Sequence, residues 1–204
     1  FFEYTSPRCN FKISRIIRWF RNLSIITINI VILRLLLPFT PPIVAIFAKQ
    51  QHWGLLNNIS FPFVANIIIS IFLLDLLIYA QHVAFHHIPL FWQIHKIHHI
   101  DQEVDVTTGL RFHPVEIMLS ALLKSLVIIL LGIPLLAVVL FEIILNATSM
   151  FSHANLKIPL KIDRWLRLII ITPDMHRVHH SVIVRETNSN FGFNLSMWDR
   201  VFKT

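Results

Sequence analysis

The sequence predicts an all-α fold: an integral membrane helical bundle of about four spanning or hairpin helices, with a cytoplasmic His-rich helical cap. Three observations predict it. Hydrophobic residues make up 55% of the 204 residues and charged residues only 14%, against about 25% charged in an ordinary globular chain. The mean hydropathy is +0.65, so the chain has too little charge to coat a water-facing surface and too much apolar surface to stay disordered. The apolar residues gather into runs long enough to cross about 30 Å of hydrocarbon. The polar segments between them hold most of 12 histidines, which outnumber the 11 Asp plus Glu.

The elements follow in order. Residues 8–21 carry Arg8, Lys12, Arg15, Arg18 and Arg21, with Ile13, Ile16, Ile17 and Phe20 at helical spacing among them. This reads either as an amphipathic helix lying on a membrane face or as a solvated juxtamembrane linker. Residues 23–48 form a first, irregular span. Arg34 inside it would cost about 2.5 kcal/mol or more at the bilayer centre, and Pro38, Pro41 and Pro42 would kink or break the helix. Residues 49–60 are a polar connection, and residues 61–80 a second span that runs directly into the first histidines. Residues 81–114 are polar and His-rich. Residues 115–150 are largely apolar, interrupted by Gly132 and Pro134. One helix of that length would overshoot the bilayer, so the run predicts a helical hairpin turning near residue 132. Lys161, Asp163, Arg164 and Arg167 among Leu, Ile and Trp165 predict a second interfacial helix over residues 159–171, and residues 173–204 are polar and again carry histidines.

Lys plus Arg is 18, for a formal charge of +7. Here the basic residues flank apolar runs instead of forming a patch on a polar domain, which points to an anionic membrane surface and not to nucleic acid. The positive-inside rule places the N-terminal segment in the cytoplasm. Two spans bring the chain back by residue 81, and the hairpin leaves and returns by residue 152. Every His-rich segment therefore falls on the cytoplasmic face of a multi-pass protein. The start at Phe1-Phe2-Glu3 suits a fragment or a trimmed product, and no secretory signal peptide is read. The single Cys9 excludes a disulfide framework and a Cys-rich zinc site. Four glycines, with no GxGxxG or P-loop pattern, exclude a Gly-rich phosphate loop, and there is no HExxH.

The histidines fall into His82-x-x-x-His86, His95-x-x-His98-His99 and His176-x-x-His179-His180. On a helix, positions three or four apart share a face, so His82 and His86 can point at one metal. In each HxxHH the first and last residues share a face and the middle one sits beside them. These motifs supply eight imidazoles, too many for one zinc or octahedral iron. They suit two ions, each with a position left for a small ligand. Imidazole binds zinc, copper, iron and nickel alike. His153 and His113 are candidate additions, whereas His52 and His87 read as incidental. The carboxylate-rich pattern of bundle di-iron proteins is missing.

These motifs resemble those of the fatty acid hydroxylase / sterol desaturase superfamily of His-rich membrane di-iron proteins, closest to its bacterial sterol desaturase-like branch. The likeness extends beyond histidine. Asp75 and Tyr79 precede the first pair. The stretch His95–Glu116 is similar to the family's second box through its Asp-x-x-Thr and Arg-x-His-Pro-x-Glu. His153 and Asn155 match His-x-Asn, Thr172–Ser181 matches the third box, and Asn190-Phe-Gly and Trp198-Asp-Arg match the C-terminal signature. Lys203 stands where the family often has Gly, and the match before residue 60 is loose.

The resemblance divides the chain into residues 1–60, an amphipathic segment with the first span, and residues 61–204, a fatty acid hydroxylase-like di-metal domain. It implies an O2-dependent oxidoreductase of lipid biosynthesis in a bacterial inner membrane. Such an enzyme hydroxylates or desaturates an unactivated C–H bond of a sterol or fatty acyl lipid. It implies two iron ions (zinc being an alternative in purified or crystallised protein), dioxygen as co-substrate, and a separate electron-donor protein. The implied metal ligands are His82, His86, His95, His98, His99, His153, His176, His179 and His180. Auxiliary candidates are His113, Asn155 and Asn190, with Asp75, Asp105, Glu116 and Asp174 as carboxylates that orient the imidazoles. Asp174 has a competing role as a helix cap, and Arg111 is expected to pair with Glu116. The competing reading is a membrane metal transporter or a metal-binding protein without redox catalysis; a transporter's ligands would line a path between the spans. A scaffold that has lost activity is a third.

Overall fold

The computed structural model describes residues 2–204, and among them all regular structure is helical apart from two isolated bridges, Pro7 with Leu156 and Ile170 with Leu195. Four segments are long and apolar enough to cross a bilayer: Arg15–Asn58, Phe63–His87, Pro114–Leu131 and Leu135–Ser152.

A short turn, α1 (Phe2–Thr5), precedes α2 (Arg15–Leu36). α2 turns apolar residues such as Ile16, Phe20 and Leu35 outward and buries Arg18, Asn22 and Asn29. The helix begins only at Arg15, and of the basic residues in the N-terminal segment Arg18 is turned inward, 3% exposed, while Ile13, Ile16, Ile17 and Phe20 remain exposed. Arg18 Nη1 donates to Asp101 (2.7 Å) and its Nη2 pairs with Asp105 (3.1 Å). Asn22 donates to Thr107, and Arg111 donates back to Asn22. An arginine this deep needs such partners to offset its desolvation. The effect is to clamp the start of α2 onto the loop at residues 101–111.

The expected first span is two helices. α2 stops at Leu36, and α3 (Pro41–Gln50) restarts with Pro41 and Pro42 in its first turn, where a missing N–H costs nothing. Arg34 lies in the last turn of α2 and is exposed, at a helix end where a long side chain can reach the interface. A turn of helix, α4 (Leu55–Asn58), leads to α5 (Phe63–His87), whose buried face runs Ser70, Leu74, Asp75, Ile78, Tyr79, His82, Phe85 and His86. Pro89 then opens α6 (Pro89–His99).

α7 (Pro114–Leu131) and α8 (Leu135–Ser152) form the hairpin, closed by Gly132 in the left-handed conformation at φ 70°. Gly54, at φ 92°, packs its backbone on this turn: a Cβ there would lie 2.0 Å from Gly132 N. Leu74, Ile78, Ile128, Ala137, Val138 and Phe141 fill the core between α5, α7 and α8.

The expected interfacial helix over 159–171 is shorter, α9 (Leu160–Leu166). Beyond it the backbone is drawn into pairing with the C-terminal segment, Ile171 N donating to Asn194 O. α10 (Pro173–His179), α11 (Val184–Thr187) and α12 (Met197–Phe202) complete the cap. Trp198 Nε1 donates to Asp75 (2.7 Å), and Gly192 N donates to Asp199 (2.9 Å). These bonds lock the loop at residues 189–196 against α5.

Candidate metal centre

Nine histidines meet where α5 ends, α6 runs, α8 ends and α10 begins, at the end of the bundle away from the Gly132 turn. They form two groups whose ligand nitrogens lie within 4.8 Å of one another: His82, His86, His95, His99 and His179, and His98, His153, His176 and His180. Each HxxHH is divided between them. His95 and His99, one turn apart, share a face of α6, and His98 points to the other group. In the second motif His176 and His180 share a face and His179 points away.

The ring orientations are set largely by main-chain carbonyls. A carbonyl oxygen can only accept, so each ring nitrogen facing one carries the proton. His82 Nδ1 donates to Phe191 O (2.8 Å), His98 Nδ1 to Arg111 O (3.0 Å), His153 Nδ1 to Ser149 O (2.6 Å) and His179 Nδ1 to Ser189 O (2.8 Å). His95 Nδ1 donates to Glu116 Oε1 (2.7 Å), and His86 Nδ1 to Asn188 Oδ1 (3.3 Å). In all six rings the tautomer leaves Nε2 as a bare lone pair.

Those lone pairs face each other. His82 Nε2 is 3.1 Å from His179 Nε2, and His98 Nε2 is 3.0 Å from His153 Nε2. Two lone pairs at that distance repel unless a cation lies between them. A proton does not serve. Burial, with neighbouring imidazoles adding, holds His98, His99, His176, His179 and His180 well below the usual histidine range. Burial brings His153 down to about 4. The nitrogens of His86, His95, His99, His176 and His180 that make no hydrogen bond are likewise buried. Two nitrogens each ~2.1 Å from one first-row ion lie about 3.0–3.4 Å apart, close to the spacings seen. The donor set therefore fits metal ions.

The remaining candidates lie elsewhere. Of the four carboxylates only Glu116 touches a ring. Asp75 accepts from Trp198, Asp105 from Arg18 and Thr107, and Asp174 from Arg8 (2.8 Å). Asp174 caps nothing: Thr172 is the N-cap of α10 and makes no side-chain capping bond. Arg111 donates to Ile97 O and Asn22, not to Glu116. Asn155 is bonded on both sides to the Cys9 backbone, and Asn190, at φ 54°, donates to Ser189. His113 caps α7 by accepting from Val115 N, and His87 bonds back to Val83 O. Sequence reasoning missed Arg111, Ser149, Ser189 and Phe191 as orienting groups, since they act through carbonyls that every residue has. Asn188 carries no sequence signal either.

A cavity of about 330 Å³ opens between α2, α5, α7 and α8 and ends against His82, His95 and Glu116. Its wall is mostly apolar, from Ile26, Ile78, Phe85 and Leu145 among others, with the Lys124–Glu142 ion pair (2.5 Å) further along the hairpin. A second cleft, walled by Trp92, reaches His86, His99 and His180 from the polar side. The two histidine groups thus lie at one end of the bundle, and the cavity and the cleft each reach histidines there. The histidines lie at helix ends and in the cap, not along the middle of the spans.

A family model described as "Fatty acid hydroxylase" matches residues 67–204. An ornithine lipid hydroxylase of Rhizobium tropici is 28% identical over 144 residues, which is 70% of this chain and 42% of that protein. An alkylglycerol monooxygenase of Caenorhabditis elegans is 26% identical over 165 residues, 79% of this chain and 31% of that protein. The chain spans less than half the length of either relative. No solved structure matches it.

Proposed function

The chain belongs to the fatty acid hydroxylase family, and from that premise we propose that it is a membrane-bound di-iron oxygenase that hydroxylates a C–H bond of a lipid held in the cavity. One iron is assigned to His82, His86, His95, His99 and His179, and the other to His98, His153, His176 and His180. Dioxygen is the co-substrate and a separate protein donates the electrons. The observation that carries this reading is the facing of Nε2 lone pairs, His82 with His179 and His98 with His153, with burial holding His98 and His179 well below the usual histidine range.

Bound iron would supply dioxygen activation and the one-electron chemistry that an unactivated C–H bond demands. The chain supplies the rest. Carbonyls of Arg111, Ser149, Ser189 and Phe191, and the carboxylate of Glu116, hold the imidazoles in their ligating tautomer. Ile78, Phe85 and Leu145 keep water from the cavity and hold an alkyl segment beside His82 and His95. Both relatives are named for hydroxylation or monooxygenation of lipids, which favours hydroxylation over desaturation here. The basic N-terminal segment supports a cytoplasmic placement of the histidine end, in a bacterial inner membrane.

The test is conversion of a lipid extract by iron-loaded protein in nanodiscs, under isotopically heavy dioxygen, with an added chemical reductant. The expected result is heavy oxygen in a lipid product, absent with His179→Ala. No labelled product from any lipid class would overturn the reading.

A further inference from the structure

The metal end of the cavity carries hydrogen-bond acceptors that nothing satisfies. Asn29, 3% exposed, donates from Nδ2 to Phe112 O (2.9 Å). That bond fixes which way the amide faces, because its oxygen would repel the carbonyl, and Oδ1 is left buried without a partner. Glu116, 4% exposed, gives Oε1 to His95 and leaves Oε2 buried and unpartnered. Gln81, next to His82 in the chain, has a buried Oε1 with no partner. All three line the cavity that ends against His82 and His95. The one ammonium in that wall, Lys124, is engaged by Glu142 and lies about 12 Å from Glu116 along α7 at ~1.5 Å per residue.

Each unsatisfied buried acceptor costs about 1–3 kcal/mol. A plain alkyl chain would leave all three unsatisfied. An ether or ester would set lone pair against lone pair. A donor, a hydroxyl or an amide or amine N–H, relieves Asn29 and Glu116, and Gln81, whose amide no bond orients, can turn its oxygen to the same group. We propose that Asn29, Gln81 and Glu116 recognise a hydrogen-bond-donating group of the lipid, so that the carbon attacked is one close to a hydroxyl- or N–H-bearing carbon. This rests on the reading that the cavity holds the lipid substrate. It excludes a featureless mid-chain methylene as the target.

The test compares three radiolabelled probes of equal chain length: hexadecanol, N-methylhexadecanamide and hexadecyl methyl ether. Binding is read as the excess partition into nanodiscs holding metal-loaded protein over empty nanodiscs. The alcohol and the amide are expected to bind about tenfold or more tighter than the ether, as for a site built to pair an O–H or N–H. Gln81→Met and Asn29→Leu should each narrow that ratio. Asn29→Leu also loses its bond to Phe112, whereas Gln81→Met touches no bond in the structure and keeps the test decisive if the first variant misfolds. Equal binding of alcohol and ether, as when water satisfies the acceptors, overturns the proposal, and so does an unchanged ratio in Gln81→Met. Oxidation is followed separately. A protein that oxidises lipid but binds alcohol and ether alike refutes the recognition alone. One that discriminates but never oxidises refutes the oxygenase reading alone.

Discussion

Replacing Glu116 by Leu removes, among the described residues, the one carboxylate that accepts from an imidazole of the two histidine groups. His95 Nδ1 and Glu116 Oε1 are 2.7 Å apart and both residues are buried. A hydrogen bond to a charged group contributes about 1.5–3 kcal/mol, and leaving the N–H unpaired costs a similar amount. Since every 1.4 kcal/mol is about tenfold, Glu116→Leu should weaken iron binding by about 10–100-fold, the range for losing such a partner. Glu116→Gln keeps an acceptor oxygen and loses only its charge, so its loss should stay under about tenfold. Asp174→Asn, whose carboxylate meets only Arg8 at the surface, should change nothing. Iron retained per chain is measured against a graded series of chelator concentrations. Glu116→Leu binding iron as tightly as the unmodified protein would refute the role given to this bond.

Other substitutions probe the scaffold. Gly54→Ala places a Cβ 2.0 Å from Gly132 N at a φ of 92°; strain of about 1–3 kcal/mol plus the clash should lower the thermal unfolding temperature in detergent, with iron affinity unchanged. Lys124→Met leaves Glu142 unpaired in the hairpin and should cost about 3–5 kcal/mol, most of it recovered in Lys124→Met/Glu142→Met; equal losses in single and double variants would contradict this. The metal-free protein should lose stability on acidification. Burial holds His98, His99, His153, His176, His179 and His180 below their unfolded value of about 6.5, so the unfolded chain binds more protons from there down. Stability is then full above about 6.5 and lost as pH falls, at about 1.4 kcal/mol per pH unit per imidazole, towards the value of about 4 for His153. Unfolding scans of the metal-free protein between these values should show that slope, and a flat profile would count against it.

The parts of the fold governed by hydropathy and chain length were legible. The α7–α8 hairpin turns at Gly132, where a Gly-x-Pro interrupts an over-long apolar run, and the second span ends in His82 and His86. Helical periodicity also showed that His95 and His99 share a face, as do His176 and His180. It did not show that the middle histidines, His98 and His179, serve the opposite group, because that depends on how α6 and α10 cross. The pairing of Arg18 left no trace in the local sequence, since its partners Asp101 and Asp105 are more than eighty residues away. The carboxylates proposed to steer the imidazoles were mostly misassigned for a related reason. Carbonyls at helix ends and in the 189–196 loop already do that work, which left Asp75, Asp105 and Asp174 to hold the frame.

Two histidine groups call for two metal ions in each chain. Iron per chain, counted by elemental analysis after anaerobic reconstitution and desalting, should be two, one for each histidine group, with X-ray absorption showing imidazole nitrogen ligation. One ion or none per chain, in protein that remains folded, would contradict it.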